Sequence, residues 1–248
     1  IDTVLGHYET NFNPKIENRV NNISVAANAT KNIILLKDDE FSFNDLLLKY
    51  DCESKFKEAP VIINGKLEKG MGGGICQVSS TIYNAALYSG LDIINVRNHS
   101  IPSTYISKGR DATVSLGDID FKFRNNYDNA ILIYNEVLEN KVVSTIYGNK
   151  NDKKEIEIIT EIIETLPSKT VKEYSEDLFI GEKAIKEEGR VGYKVNTFRV
   201  YKENNNQKKE FVYESYYPPK DKIILSGTKA KKIKRNIKKE LNTDFVLN

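Results

Sequence analysis

No run of about 18 apolar residues occurs in the chain, so no membrane-spanning helix is expected within it. Histidine and cysteine are scarce: His7, His99, Cys52 and Cys76 are the whole supply. Neither Cys-x-x-Cys nor His-Glu-x-x-His occurs, so no structural or catalytic metal is expected, and no cofactor is called for. No charge of one sign dominates: 37 Lys and Arg stand against 35 Asp and Glu, and nothing in that balance suggests nucleic acid as the main partner. Two cysteines allow a disulfide by count alone. If Cys76 is reactive, Cys52 is expected to be a free or buried thiol. Three Asn-x-Ser/Thr triplets, at Asn22, Asn28 and Asn98, are short enough to arise by chance and carry no weight.

What is present begins with Gly70-Met71-Gly72-Gly73-Gly74-Ile75-Cys76-Gln77-Val78-Ser79-Ser80-Thr81. The glycines allow positive φ and close backbone approach, so this is a tight, shaped loop. A Walker loop would need Gly-Lys-Ser/Thr entering the helix, and Ile75-Cys76-Gln77 stands there instead. The dinucleotide fingerprint would need a glycine at Ile75. From Cys76 on, Val78, Ile82, Ala85 and Ala86 fall on one helical face. Cys76 therefore sits in the first turn of a helix, where unpaired N–H groups and the helix dipole favour a thiolate. The plainer reading is that free cysteines usually act as small buried hydrophobes. An inert cysteine, however, needs no glycine loop ahead of it.

A cysteine nucleophile needs a base and something to orient the base. His99 lies 23 residues after Cys76, beyond the helix, and a sheet packed on that helix could set it opposite the sulfur. Asp111 follows 12 residues later, where two antiparallel strands joined through residues 102–108 would bring His99 and Asp111 side by side. Asp118 and Asp120 compete for the same role. The amides of Cys76, Gly73 and Gly74 could form an oxyanion site. Arg97 and Arg110 flank the base and could grip a substrate carboxylate, although exposed arginines commonly serve only solubility. Ser79, Ser80 and Tyr83 lie within two turns of Cys76, either lining the site or packing the helix.

The 248 residues, 40% hydrophobic, suffice for one large or two modest domains. A helix is expected from Pro14 to Ala29 with Asn13 as its N-cap, and a strand over residues 33–36. A strand from Pro60 should enter an Asn64-Gly65 turn. The Cys76 helix should close at Gly90. Strands are expected over 112–116 and 119–123, with a hairpin formed by 130–137 and 141–147. Polar residues 149–154 mark a boundary. Beyond it short β-rich runs, broken by glycines and an Asn204-Asn205-Asn206 turn, read as all-β. The basic stretch 229–239 could form a short amphipathic helix, but a solvated tail fits it better. The expectation is an α+β chain: a helix-plus-antiparallel-sheet domain over 1–150, resembling a cysteine enzyme, then a small all-β domain over 155–230 and a basic tail over 231–248. Ile1 in place of an initiator methionine gives the expectation of a mature piece of a longer chain.

Phe41-Ser42-Phe43-Asn44, the Gly72 to Thr81 string, His99-Ser100, Gly109-Arg110-Asp111-Ala112-Thr113-Val114 and Asp120-Phe121-Lys122-Phe123 together resemble the VanW domain family, over residues 5–148. Lys37-Asp38-Asp39-Glu40 stands where that family usually has Pro-Gly-Glu, which alters a turn rather than the chemistry. Residues 156–228 resemble the G-five domain, an extracellular β module, through Gly181, Gly189, Gly192 and Gly227, without the glycine often found at 204–207. The resemblance implies a Gram-positive cell-wall enzyme, an L,D-transpeptidase with Cys76 as nucleophile and peptidoglycan stem peptides as substrate. It implies wall glycan as a further partner of the second domain. An extracellular place follows, held by an upstream anchor absent from these residues. The order Cys, His, Asp is also similar to that of transglutaminase-like and NlpC-type hydrolases. A cysteine peptidase or amidase, an L,D-carboxypeptidase and a non-catalytic wall-binding protein therefore stand as alternatives.

Overall fold

The computed structural model describes residues 1–63, 66–203 and 206–231. The expected turns at Asn64-Gly65 and Asn204-Asn205, and the tail beyond residue 231, lie outside them. The elements run β1 (Thr3–Asn11), α1 (Glu17–Ala29), β2 (Ile33–Leu35), β3 (Glu40–Ser42), α2 (Phe43–Lys49), β4 (Glu58–Ile63), β5 (Lys66–Met71), α3 (Ile75–Tyr88), β6 (Asp92–Asn95), β7 (Lys122–Arg124), β8 (Ile131–Leu138), β9 (Lys141–Gly148), β10 (Ile156–Leu166), β11 (Thr170–Phe179), β12 (Lys183–Glu187), β13 (Gly192–Glu203), β14 (Asn206–Tyr217) and β15 (Lys222–Lys229). This is a mixed chain, with three α-helices among the described residues and a sheet-rich C-terminal part.

Contacts gather the chain into two compact units, residues 1–167 with 191–219, and 168–190 with 220–248. In the first, β1-β9-β8-β2 form an antiparallel sheet, β3-β7-β6 a second, β4-β5 a hairpin, and β10-β13-β14 a third sheet. In the second unit β15 pairs parallel with β11 and antiparallel with β12.

Helix α3 is the centre of the first unit. The spacing foretold one buried face, yet every residue from Gln77 to Leu87 is buried. Val78, Ile82, Ala85 and Ala86 join Ile23, Ala26 and Ala27 of α1 and Ile131, Ile133, Val142 and Ile146 of the sheet in one apolar cluster. Phe121 meets Tyr83 edge-on at 5.6 Å, while Phe41 stacks on Phe123 at 4.7 Å. A helix covered all round must find partners for its polar side chains. Gln77 Nε2 donates to Thr10 Oγ1 and the Asn11 carbonyl, Thr10 and Thr81 share a hydroxyl bond, and Asn84 Nδ2 donates to the Arg110 carbonyl.

Strand β1, to which the sequence assigned no element, carries a glycine at position 6. A glycine inside a strand argues against it, but here a Cβ would lie 2.3 Å from the Ala85 carbonyl, so the strand needs glycine to cross the helix backbone. Helix α1 starts at Glu17 rather than near Pro14, because Asn13 Oδ1 accepts the Lys15 N–H and closes a local turn. The end of α3 follows expectation: Gly90 takes φ 69° and the Leu91 N–H returns to the Ala86 carbonyl.

Two expected strands are corrected as well. Residues 112–116 form no strand, only an isolated bridge from Ser115 to Ile119. The Ala112 N–H and carbonyl bond to the Ser80 and Ser79 hydroxyls of α3, at 2.9 and 2.6 Å, in place of a partner strand. Regular strand around Phe121 likewise shrinks to β7.

Candidate active site

The loop entering α3 is held from α1. Asn22, wholly buried, donates through Nδ2 to the carbonyls of Lys57 and Gly73, and its Oδ1 accepts the Lys57 N–H. Gly74 caps the helix at φ +116°, with α1's Ile23 and Arg19 closing around the place a side chain would fill. That conformation and that crowding together require glycine. Asn22→Ala strips a partner from three backbone groups, the Lys57 N–H and carbonyl and the buried Gly73 carbonyl. It should lower unfolding free energy by about 2–3 kcal/mol, as read from a urea transition.

Cys76 is the second residue of α3 and is partly exposed, while Cys52 is buried. Both are free, so the count-based disulfide is not formed. Burial pushes the Cys52 thiol up. At Cys76 burial also works against the thiolate. The hydrogen bond and charge of His99, the Val114 backbone and the charge of Arg19 outweigh it and hold this thiol below its ordinary value. Val114 serves both states of the sulfur, since its carbonyl lies 3.4 Å and its N–H 3.5 Å from Sγ.

His99 is buried, with Nδ1 2.6 Å from Asp111 Oδ2; the same oxygen accepts the His99 main-chain N–H at 2.7 Å. With Nδ1 so engaged, Nε2 is the nitrogen left for the hydrogen bond to Cys76. Burial pulls the imidazole down, but the bonds to Asp111 and Cys76 raise it to about 10. Each group thus favours the charged form of the other, thiolate beside imidazolium. Of the competing carboxylates, Asp120 is committed elsewhere: it accepts Ser42 Oγ and the Asn44 N–H at the start of α2.

The other residues singled out from the sequence scatter. Ser79 and Ser80 are wholly buried, bonded to the Cys76 carbonyl and to Ala112, and clasp the 110–114 segment to α3. Gly73 and Gly74 are buried within the loop. Arg97 is exposed, and its carbonyl accepts the Thr113 N–H. Arg110 lies over the rings of Tyr8 and Tyr88, with Nε donating to Asn84 Oδ1, two turns and about 12 Å along α3 from the sulfur. The structure does not bring Arg110 to Cys76. A cleft of about 620 Å³ that includes Tyr88 and Lys154 lies at that far end of α3 too.

Three residues of the site escaped the sequence. Arg19 of α1 donates to Gln77 Oε1 at 2.9 Å and acts electrostatically on Cys76. Tyr105 approaches Ser80 Oγ at 3.5 Å; burial and the Cys76 charge raise its hydroxyl well above the ordinary value, so it stays a protonated donor. Tyr217 of β14 donates its hydroxyl to Asp111 Oδ1. No local motif announces such long-range partners. Among the described residues no group of three or more His, Cys, Asp or Glu is placed to hold a metal ion, and no helix is long and apolar enough to cross a membrane.

The family described as VanW like protein matches residues 18–147, just over half the chain, and the G5 domain matches 157–229. YoaR of Bacillus subtilis (strain 168) is 41% identical over 145 residues, covering 58% of this chain and 48% of that protein. The vancomycin B-type resistance protein VanW of Enterococcus faecalis is 31% identical over 155 residues, 60% of this chain and 56% of that protein. The chain thus spans about half the length of the curated relatives it matches. Among solved structures, the IgA1 protease G5 domain is 28% identical with TM-score 0.26, covering 33% of this chain and 99% of that domain. HP0197-G5 is 21% identical with TM-score 0.19, covering 29% and 99%.

Proposed function

The chain belongs to the VanW-like protein family and continues into a G5 domain, and on that premise we propose that it is a cell-wall acyl-transfer enzyme, an L,D-transpeptidase of peptidoglycan. The observation that carries the reading is Cys76 in the first turn of a buried helix, its thiol held below the ordinary value by His99, whose Nδ1 lies 2.6 Å from Asp111 Oδ2.

Sγ attacks the carbonyl carbon between diaminopimelate and the terminal D-Ala of a tetrapeptide stem. The oxyanion forms at the first turn of α3, where the Cys76 amide is assigned to it; the neighbouring Ile75 and Gln77 N–H groups bond to Gly72 and Gly74 carbonyls. As the C–N bond breaks, the D-Ala amine takes the proton from His99 Nε2 and leaves a thioester. The side-chain amine of a second stem then attacks, gives its proton back to Nε2, and displaces the thiolate with formation of a 3-3 cross-link. Asp111 keeps the imidazole in one tautomer and balances its charge. The cysteine-enzyme-like character of the first domain, an extracellular wall location with an upstream anchor, and glycan binding by the G5 part belong to this same proposal.

Water admitted to the thioester would make the enzyme an L,D-carboxypeptidase, and the partial exposure of Cys76 keeps that route in view. Incubation with purified muropeptides, read by mass, tests the reading. Dimers that have lost D-Ala are expected. Shortened monomers alone would mean hydrolysis, and unchanged muropeptides with binding retained would mean a wall-binding protein.

A further inference from the structure

The carboxylate that orients the base has two oxygens, and both are engaged. Asp111 Oδ2 takes the two N–H groups of His99. Oδ1 takes the hydroxyl of Tyr217, which lies 106 residues further on in β14 and is wholly buried. That hydroxyl in turn accepts the Gly109 N–H at 2.8 Å. The attachment is wider than one bond. Thr197 Oγ1 of β13 donates to the Gly109 carbonyl at 2.7 Å. Asn98 Nδ2 donates to the Tyr216 carbonyl at 2.9 Å, and the Tyr216 N–H returns to Asn98 Oδ1 at 3.2 Å. Residue 98 precedes the base and residue 109 precedes the carboxylate by two, so both approaches to the His99–Asp111 pair are fastened to β13 and β14. Those strands fall in the stretch matched by the G5 domain, outside the 18–147 match.

We propose that Tyr217 is a positioning residue for the Cys76–His99–Asp111 site, so that a strand of the G5 stretch completes the machinery of the VanW-like domain. Its hydroxyl fixes the rotation of the Asp111 carboxylate, because a donor aimed at buried Oδ1 holds the other oxygen, Oδ2, toward His99. Without it, Oδ1 is buried with its partner gone, Asp111 holds the imidazolium less firmly, and the thiolate loses its counter-ion. Burial and the Asp111 charge both keep the Tyr217 hydroxyl protonated, so it remains a donor. The role deepens the acyl-transfer reading and rests on it for its bearing on turnover.

Tyr217→Phe keeps the ring and deletes one hydroxyl. Iodoacetamide alkylation of Cys76 at pH 7 is expected to slow about tenfold, with its pH profile displaced upward. In histidine-labelled protein, which carries only His7 and His99, the His99 titration should fall from about 10 towards its ordinary 6.5. Tyr127→Phe is the matched control, since Tyr127 is also buried and donates to the Ser89 carbonyl away from the site. It should cost stability and leave the thiol profile in place. In an Asp111→Asn background, Tyr217→Phe should add little further slowing. An unchanged profile in Tyr217→Phe, an equal shift in Tyr127→Phe, or a full tenfold loss on top of Asp111→Asn overturns the proposal. Should Tyr217→Phe not fold, ring-labelled tyrosine in the native chain decides: Tyr217 signals must follow the His99 titration and cease to do so in Asp111→Asn, and independence overturns the idea. These readouts need no substrate. A chain that shows the shift but leaves muropeptides untouched would sink the transpeptidase reading and spare this one.

Discussion

Cys76→Ser is expected to abolish muropeptide turnover, by about a thousandfold or more, while leaving the fold in place. The hydroxyl is nearly the size of the thiol and can keep the two Val114 backbone contacts, so little packing changes. What is lost is a group that ionises beside His99, since a serine hydroxyl stays protonated there and is a far weaker nucleophile. The chain supplies its own control. Cys52 is 2% exposed and its thiol is pushed up by burial, so native protein should take up one alkyl group and Cys76→Ser none. Mass spectrometry of the intact protein reads both numbers directly. Retained turnover in Cys76→Ser, or a native chain that resists labelling, would remove the nucleophile from the account.

The second large effect concerns pH. In the native protein the thiolate is lost only as pH falls through the lowered Cys76 value, and the imidazolium only as pH rises through about 10. Between those limits the alkylation rate should be nearly flat. The sign for stability follows: the raised His99 contributes fully below its ordinary 6.5, and that contribution fades as pH climbs through about 10. His99→Gln removes the counter-ion and leaves burial opposed only by the Val114 backbone and the charge of Arg19, so the thiol should titrate well above its native value, near its ordinary 9.0. At pH 7 only about one thiol in a hundred would then be ionised, partly offset by the greater nucleophilicity of a more basic sulfur. Alkylation should be roughly tenfold to a hundredfold slower, with a profile that rises through pH 9. Turnover should fall further, by about 10²–10⁴, because the proton for the leaving amine goes too. A flat native-like profile in His99→Gln would show that the imidazole does not govern the sulfur.

Much of the site was legible because its signals are local. A glycine run ahead of a helix, a cysteine in the first turn and a scarcity of histidine led to Cys76 and His99. The spacing of Asp111 made it the first of three carboxylates, and its contacts separate it from Asp120. The same logic failed where function depends on contacts distant in sequence. Ser79 and Ser80 lie near Cys76 along the helix, but their hydroxyls satisfy the Ala112 backbone. That exchange also turned an expected strand at 112–116 into extended chain. Arg110 sits next to Asp111 in sequence, but its guanidinium is drawn to Tyr8 and Tyr88, and an arginine between aromatic faces gains more there than in water. Arg19, Tyr105 and Tyr217 carry no motif. The change of texture at residues 149–154 marks where composition shifts, while the first compact unit runs to 167 and takes in 191–219. Composition reports what a strand is made of, not what it packs on.

Strand β1 bears on how this domain can be cut. The family match starts at residue 18, so a fragment trimmed to that match would lack Thr3–Asn11. With it would go Thr10, which takes the Gln77 amide and shares a hydroxyl bond with Thr81, and Gly6, seated on the last turn of α3. Gln77, next to Cys76, would then lose both acceptors of its Nε2 and keep only Arg19 on Oε1, and the outer edge of β9 would be open to a neighbouring molecule. Such a trimmed piece is more prone to stick to its copies than to bind a substrate.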